Sequence, residues 1–154
     1  MLRTLSAIFV TTTAAAALLH GSARAEDKLY EIKKADAKVA VGAKATTSLT
    51  IATLHGWHVN SEAPITLVLT PSAGLTVTKP KLARADLAAS SLESARFDVA
   101  FEAAEPGPKV ISALATFVIC QETACKPVKE TVALNVDVAA AAPAKATKKK
   151  AKKS

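Results

Sequence analysis

The chain has 154 residues, half of them hydrophobic, and a formal net charge of +7 from 20 Lys and Arg against 13 Asp and Glu. That length suits one domain. The sequence lacks a phosphate-binding glycine loop, a Ser/His/Asp set and a paired-carboxylate arrangement, so neither a nucleotide enzyme nor a hydrolase is supported. The charge is unevenly placed: between Glu26 and Val138, 12 basic residues meet all 13 acidic ones, and six lysines follow Ala139. The folded part is therefore nearly neutral, and the basicity belongs to one end.

Residues 1–25 have the three parts of a cleavable secretory signal: Arg3, an uncharged run from Leu5 to Leu19, and the small-x-small site Ala23-Arg24-Ala25. A membrane span needs about 20 apolar residues. This run is shorter, is interrupted by Thr11-Thr12-Thr13 and ends at His20 and Arg24. A soluble mature chain starting at Glu26, periplasmic or secreted, is the expectation.

From Lys28 to Val138 the pattern is that of strands. Thr47–Leu54 alternates, with Leu49 and Ile51 on one face, and Ile65–Thr70 repeats the habit before the turn cluster Pro71-Ser72-Ala73-Gly74. Leu75–Thr78 follows and is stopped by Pro80. Leu82–Ser94 is the one segment whose composition suits a helix. Phe97, Val99 and Phe101 alternate inward, and Glu105-Pro106-Gly107-Pro108 is a turn. Lys109–Cys120 is apolar on both faces, as a central strand would be, and Thr131–Val138 alternates with Val132, Leu134, Val136 and Val138 on one side. Short strands separated by turn signals predict an all-β protein, an antiparallel β-sandwich or barrel. From Ala139 to Ser154 the sequence AAAAPAKATKKKAKKS has no aromatic or branched aliphatic residue, which predicts a disordered basic tail. After export such a tail meets anionic envelope polymers, lipid head groups or cell-wall polysaccharide, before it meets nucleic acid.

Cys120 and Cys125 are the only cysteines. Five residues of extended chain would hold them about 17 Å apart, whereas a disulfide needs Cα atoms within about 7 Å, so the intervening residues must turn back. In an oxidising compartment two cysteines this close are expected to pair. A staple over so short a loop contributes only about 2 kcal/mol. In a redox pair, the same spacing keeps the second thiol at hand to resolve a mixed disulfide. Lys126 favours a thiolate at Cys125, and Glu122 opposes it. Both roles stand open on the residues alone.

Two stretches carry a family resemblance. Gly56-Trp57-His58-Val59-Asn60-Ser61-Glu62-Ala63-Pro64 looks like a glycine-aromatic/histidine segment closed by Asn and Pro, and a late strand ends in Cys120, a short loop and Cys125-Lys126-Pro127. With these in order, the chain from about Ala45 to Val138, within a domain expected over residues 26–138, resembles the N-terminal periplasmic domain of the DsbD thiol:disulfide interchange proteins. The resemblance implies an immunoglobulin-like sandwich in which Cys120 and Cys125 form the redox pair; the residues' own chemistry adds His58 and Lys126 as auxiliary candidates. It also implies periplasmic thiol-disulfide proteins as partners and a separate membrane electron donor, with no cofactor. Better-known members shield the disulfide with a loop bearing acidic and aromatic residues; the corresponding stretch, Asp86–Glu93, has no aromatic. His55 and His58 with the cysteines would make four candidate metal ligands, but on a strand the histidines point to opposite faces. Trp57 is expected in the core, and a non-enzymatic binding domain with a structural disulfide is the competing function.

Overall fold

The computed structural model describes residues 28–140. The expected signal segment, 1–25, and the lysines of the tail lie outside the described residues. Eleven strands run in chain order: β1 (Tyr30–Lys34), β2 (Ala37–Ala40), β3 (Lys44–Thr53), β4 (His58–Val59), β5 (Thr66–Pro71) and β6 (Leu75–Val77). Then come β7 (Lys81–Ala83), β8 (Leu87–Ser90), β9 (Ser94–Ala103), β10 (Gly107–Gln121) and β11 (Ala124–Ala139). One sheet has the order β1-β3-β9-β6, with β8 also on β9. The other has the order β2-β11-β10-β5-β7, with β4 also on β10. Pairing is antiparallel except for β2 against β11. This is an antiparallel β-sandwich, one of the two architectures the strand pattern predicts, and of the immunoglobulin-like kind that the resemblance implies.

The core lies between the two sheets and follows the alternation of the sequence. Leu49 and Ile51 of β3 and Phe97, Val99 and Phe101 of β9 meet Leu67 of β5, Ile111, Phe117 and Ile119 of β10, and Leu134, Val136 and Val138 of β11. Each of these side chains is essentially inaccessible to water, and burying one of that size contributes about 1.5–3 kcal/mol. The second sheet places β10 between β11 and β5, the central position that its two apolar faces predict. The turn after β5 needs glycine at 74: its φ is +81°, and a Cβ there would meet the Glu105 side chain at 2.6 Å.

Leu82–Ser94 is not a helix. It holds the end of β7, a single 3-10 turn at Arg84–Asp86 and then β8. The Asp86 carboxylate accepts the Ala83 N–H at 2.9 Å and grips Lys79 at 2.6 and 2.8 Å, which fixes one turn. Leu87 then pairs with Phe97 at the sheet edge, and the ladder outweighs the weak helical propensity of the alanines. The expected tail boundary also moves by one residue, since β11 runs through Ala139.

Candidate functional site

The two cysteines sit near the tip of the β10–β11 hairpin. Gln121 pairs with Ala124, so the connection is only Glu122-Thr123, and the next pair inward is Cys120 with Cys125. In an antiparallel ladder hydrogen-bonded and non-hydrogen-bonded pairs alternate, and the second pair from a two-residue turn is of the closer, non-hydrogen-bonded kind. The Cα atoms of Cys120 and Cys125 are 4.0 Å apart and their sulfurs are bonded. The expected disulfide is present, and the chain turns back more tightly than a four-residue loop requires.

Strand parity decides which way the disulfide faces. Phe117 and Ile119 point into the core, so Cys120 points to the outer face of its sheet. On the other side of β10, Cys120 pairs with His58 of β4. His58, Cys120 and Cys125 therefore form one row across three strands on one face. The row is asymmetric. Cys120 is only 4% exposed, whereas Cys125 is open to solvent.

What covers Cys120 is the segment after β4. The Asn60 side-chain amide donates to the Cys120 sulfur at 3.2 Å, while its carbonyl oxygen accepts the backbone N–H groups of Glu62 and Ala63, each at 2.8 Å. The two accepted bonds fix which end of the amide faces sulfur. They also close an Asx turn that brings the chain back over the cysteine. Arg84, from the 3-10 turn, donates to the backbone carbonyls of Asn60, at 3.0 Å, and Ala63. The Asn60 N–H bonds the Val118 carbonyl at 2.9 Å, and that of Val59 bonds Leu92 at 2.7 Å. The Gly56–Pro64 motif and the cysteine motif, far apart in sequence, are thus one site.

The remaining candidates separate. Lys126 follows Cys125 but pairs with Ile119, which turns its side chain to the opposite face from the sulfur, into a groove between β11 and β1. His55 lies on an exposed turn with φ +54°, away from the row that His58 joins. Trp57 packs against the core from its edge, half-buried. Asp86–Glu93, where the resemblance leads one to expect a shielding loop, spans the end of the 3-10 turn, an edge strand on β9 and a turn whose Leu92 is 72% exposed. Sequence reasoning quoted Asn60 without giving it a role and passed over Arg84. An Asn whose two following N–H groups precede a proline is a readable Asx-turn signal; for Arg84, 21 to 24 residues from its acceptors, no local signal exists.

The groove beside the site holds one perturbed group. The Tyr30 hydroxyl donates to a Glu130 carboxylate oxygen at 2.6 Å, and the ring meets Phe117 edge-on with centroids 5.3 Å apart. Burial first, then the bond to Glu130 and its negative charge, push the phenol up to about 12.

Fold and site together define an immunoglobulin-like sandwich with a single disulfide near a hairpin tip, one sulfur covered and the other open. No family model and no curated protein matches the chain. Solved structures similar to it include WR4, a C. elegans MSP family member, at 9% identity and TM-score 0.42, covering 72% of this chain and 98% of that one. The PapD-like domain 7 of human CEP192 matches at 9% identity and TM-score 0.42, with 85% and 98% covered. AggA, the major subunit of Escherichia coli aggregative adherence fimbriae type I, matches at 10% identity and TM-score 0.40, with 71% and 94% covered. At these scores the likenesses carry no inference about activity.

Proposed function

We propose that the protein is an exported thiol:disulfide interchange module that carries two electrons on Cys120 and Cys125. The observation that carries this reading is the asymmetry of the pair, together with the Asn60 donor on the covered sulfur. In the oxidised domain Cys125 is exposed and Cys120 nearly buried, so in this reading attack falls on the Cys125 sulfur. A donor thiolate bonds to it, the Cys120–Cys125 bond breaks, and Cys120 leaves as a thiolate facing the Asn60 amide. The donor's second thiol then displaces Cys125, leaving the donor as a disulfide and this domain as a dithiol. Delivery runs in reverse: the Cys125 thiolate attacks a target disulfide, and Cys120 resolves the mixed disulfide and releases a dithiol. His58 pairs with Cys120 in the same row, and in this reading it exchanges a proton with the leaving or attacking sulfur. Periplasmic thiol-disulfide proteins are the targets this reading implies, with a separate membrane protein as donor. Among the described residues no helix is long and apolar enough to cross a bilayer.

The test is a trapping experiment. Cys120→Ala, which leaves the open thiol, should accumulate mixed disulfides with partner proteins; Cys125→Ala should not. A reduction potential near or above about −250 mV supports a carrier, whereas one below about −300 mV, without trapping by either variant, makes the disulfide a staple.

A further inference from the structure

The second sheet leaves part of one edge open, and that part begins at the disulfide. On its outer side β11 is paired with β2 only over Val136–Ala139. Lys34 donates across the gap to the Ala133 carbonyl at 2.7 Å, which closes the edge at that point. Between Cys125 and Thr131 no strand among the described residues covers it. Ladder alternation fixes which backbone groups face outward. Because Gln121–Ala124 is a hydrogen-bonded pair, the odd-numbered residues Cys125, Lys129 and Thr131 turn their N–H and C=O groups away from β10. Pro127 falls at an outward position, where its missing N–H leaves the ladder with β10 intact.

Alongside this edge runs a groove of about 700 Å³ between β11 and β1. Leu29, Ile32, Val128 and Val132 give it an apolar floor, and Lys28, Lys34, Lys126 and Lys129 stand around it; its one carboxylate, Glu130, is held by Tyr30. Lysines along an edge repel a second copy of the same edge, and the lysine tail as well. They select instead a negatively charged strand.

We propose that the β11 edge from Cys125 to Thr131 accepts an acidic, extended segment of a partner protein as an added strand. Its backbone bonds the outward groups of Cys125, Lys129 and Thr131. Alternate apolar side chains enter the groove, and carboxylates meet the lysines. Binding of this kind does not require the disulfide to react. Only the consequence that a cysteine in the segment would come to rest beside Cys125 depends on the interchange reading.

The experiment titrates the folded domain with a dye-labelled peptide of alternating glutamate and valine, followed by polarisation and by amide shifts. Saturable binding is expected, with the largest shifts at Cys125, Lys129 and Thr131 and none of comparable size on β6 or β7. Thr131→Pro, which removes one outward N–H, should weaken binding about tenfold, and Thr131→Val should leave it unchanged. A peptide N-methylated at alternate amides should lose binding on the unaltered protein, so the outcome does not hang on one variant's folding. A lysine–valine peptide should not bind. Absence of saturable binding, shifts centred elsewhere, or full binding by the N-methylated peptide overturns the proposal. Reduction of the disulfide by dithiothreitol, measured in parallel, reports the exchange chemistry separately, so either reading can fail alone.

Discussion

At the scale of single residues, Asn60 is the side chain whose two ends have different work. Its carbonyl holds the turn and its amide faces sulfur. Asn60→Asp keeps the acceptor and replaces the donor with negative charge. If Cys120 leaves as a thiolate, the variant should react with a small dithiol about tenfold more slowly while melting close to the parent, as stopped-flow kinetics and thermal unfolding would read. Tyr30 gives a prediction of another kind. Its folded-state value of about 12 lies above the ordinary phenol value of 10.0, so the neutral phenol favours the folded state. That stability is complete below about pH 10 and is lost as pH rises towards 12. Urea midpoints should fall across that window, and Tyr30→Phe should flatten the fall. The cysteines were legible because the sequence has only two, five positions apart, so each has the other as its one partner. Their asymmetry was not, because the cover on Cys120 comes from 60 residues upstream.

Elements were legible in proportion to their length and the strictness of their alternation. β9 reads directly, since every inward residue from Ala95 to Ala103 is buried and every outward one exposed. Phe117 of β10 is fully buried against Tyr30 and the facing sheet, so Phe117→Ala should cost about 3–5 kcal/mol in chemical denaturation. The short strands β1, β2, β4, β7 and β8, two to five residues each, carry too little periodicity to be read alone and exist through their neighbours' ladders. The start of β11 was hidden for a different reason. Glu122-Thr123 lacks the Asn-Gly or Gly signal of a two-residue hairpin, and Pro127 argues against a strand until its outward-facing edge position is known. The helix expected over Leu82–Ser94 rested on alanine composition, and tertiary pairing overrides propensity of that size.

For the whole molecule, the two ends of the sandwich have different neighbours in the chain. β11 runs unbroken from the disulfide to Ala139, a distance of about 46 Å in extended chain, and the lysines of the tail follow from that far end. If those lysines hold the protein on an anionic surface, binding to vesicles containing anionic lipid should weaken with salt and vanish when residues 141–154 are deleted, with disulfide exchange in solution unaltered. At the opposite end Lys28 shares a groove with Lys126, so the described chain enters the fold at the end of β11 that carries the disulfide. If residues 1–25 form a secretory signal, a signal left uncut after Ala25 would hold that same end close to the membrane. On that reading, removing the signal would free the Cys125 end for reaction. Blocking the cut with Ala25→Pro should leave the reduced Cys125 slow towards a bulky maleimide, and proteolytic release should restore its rate.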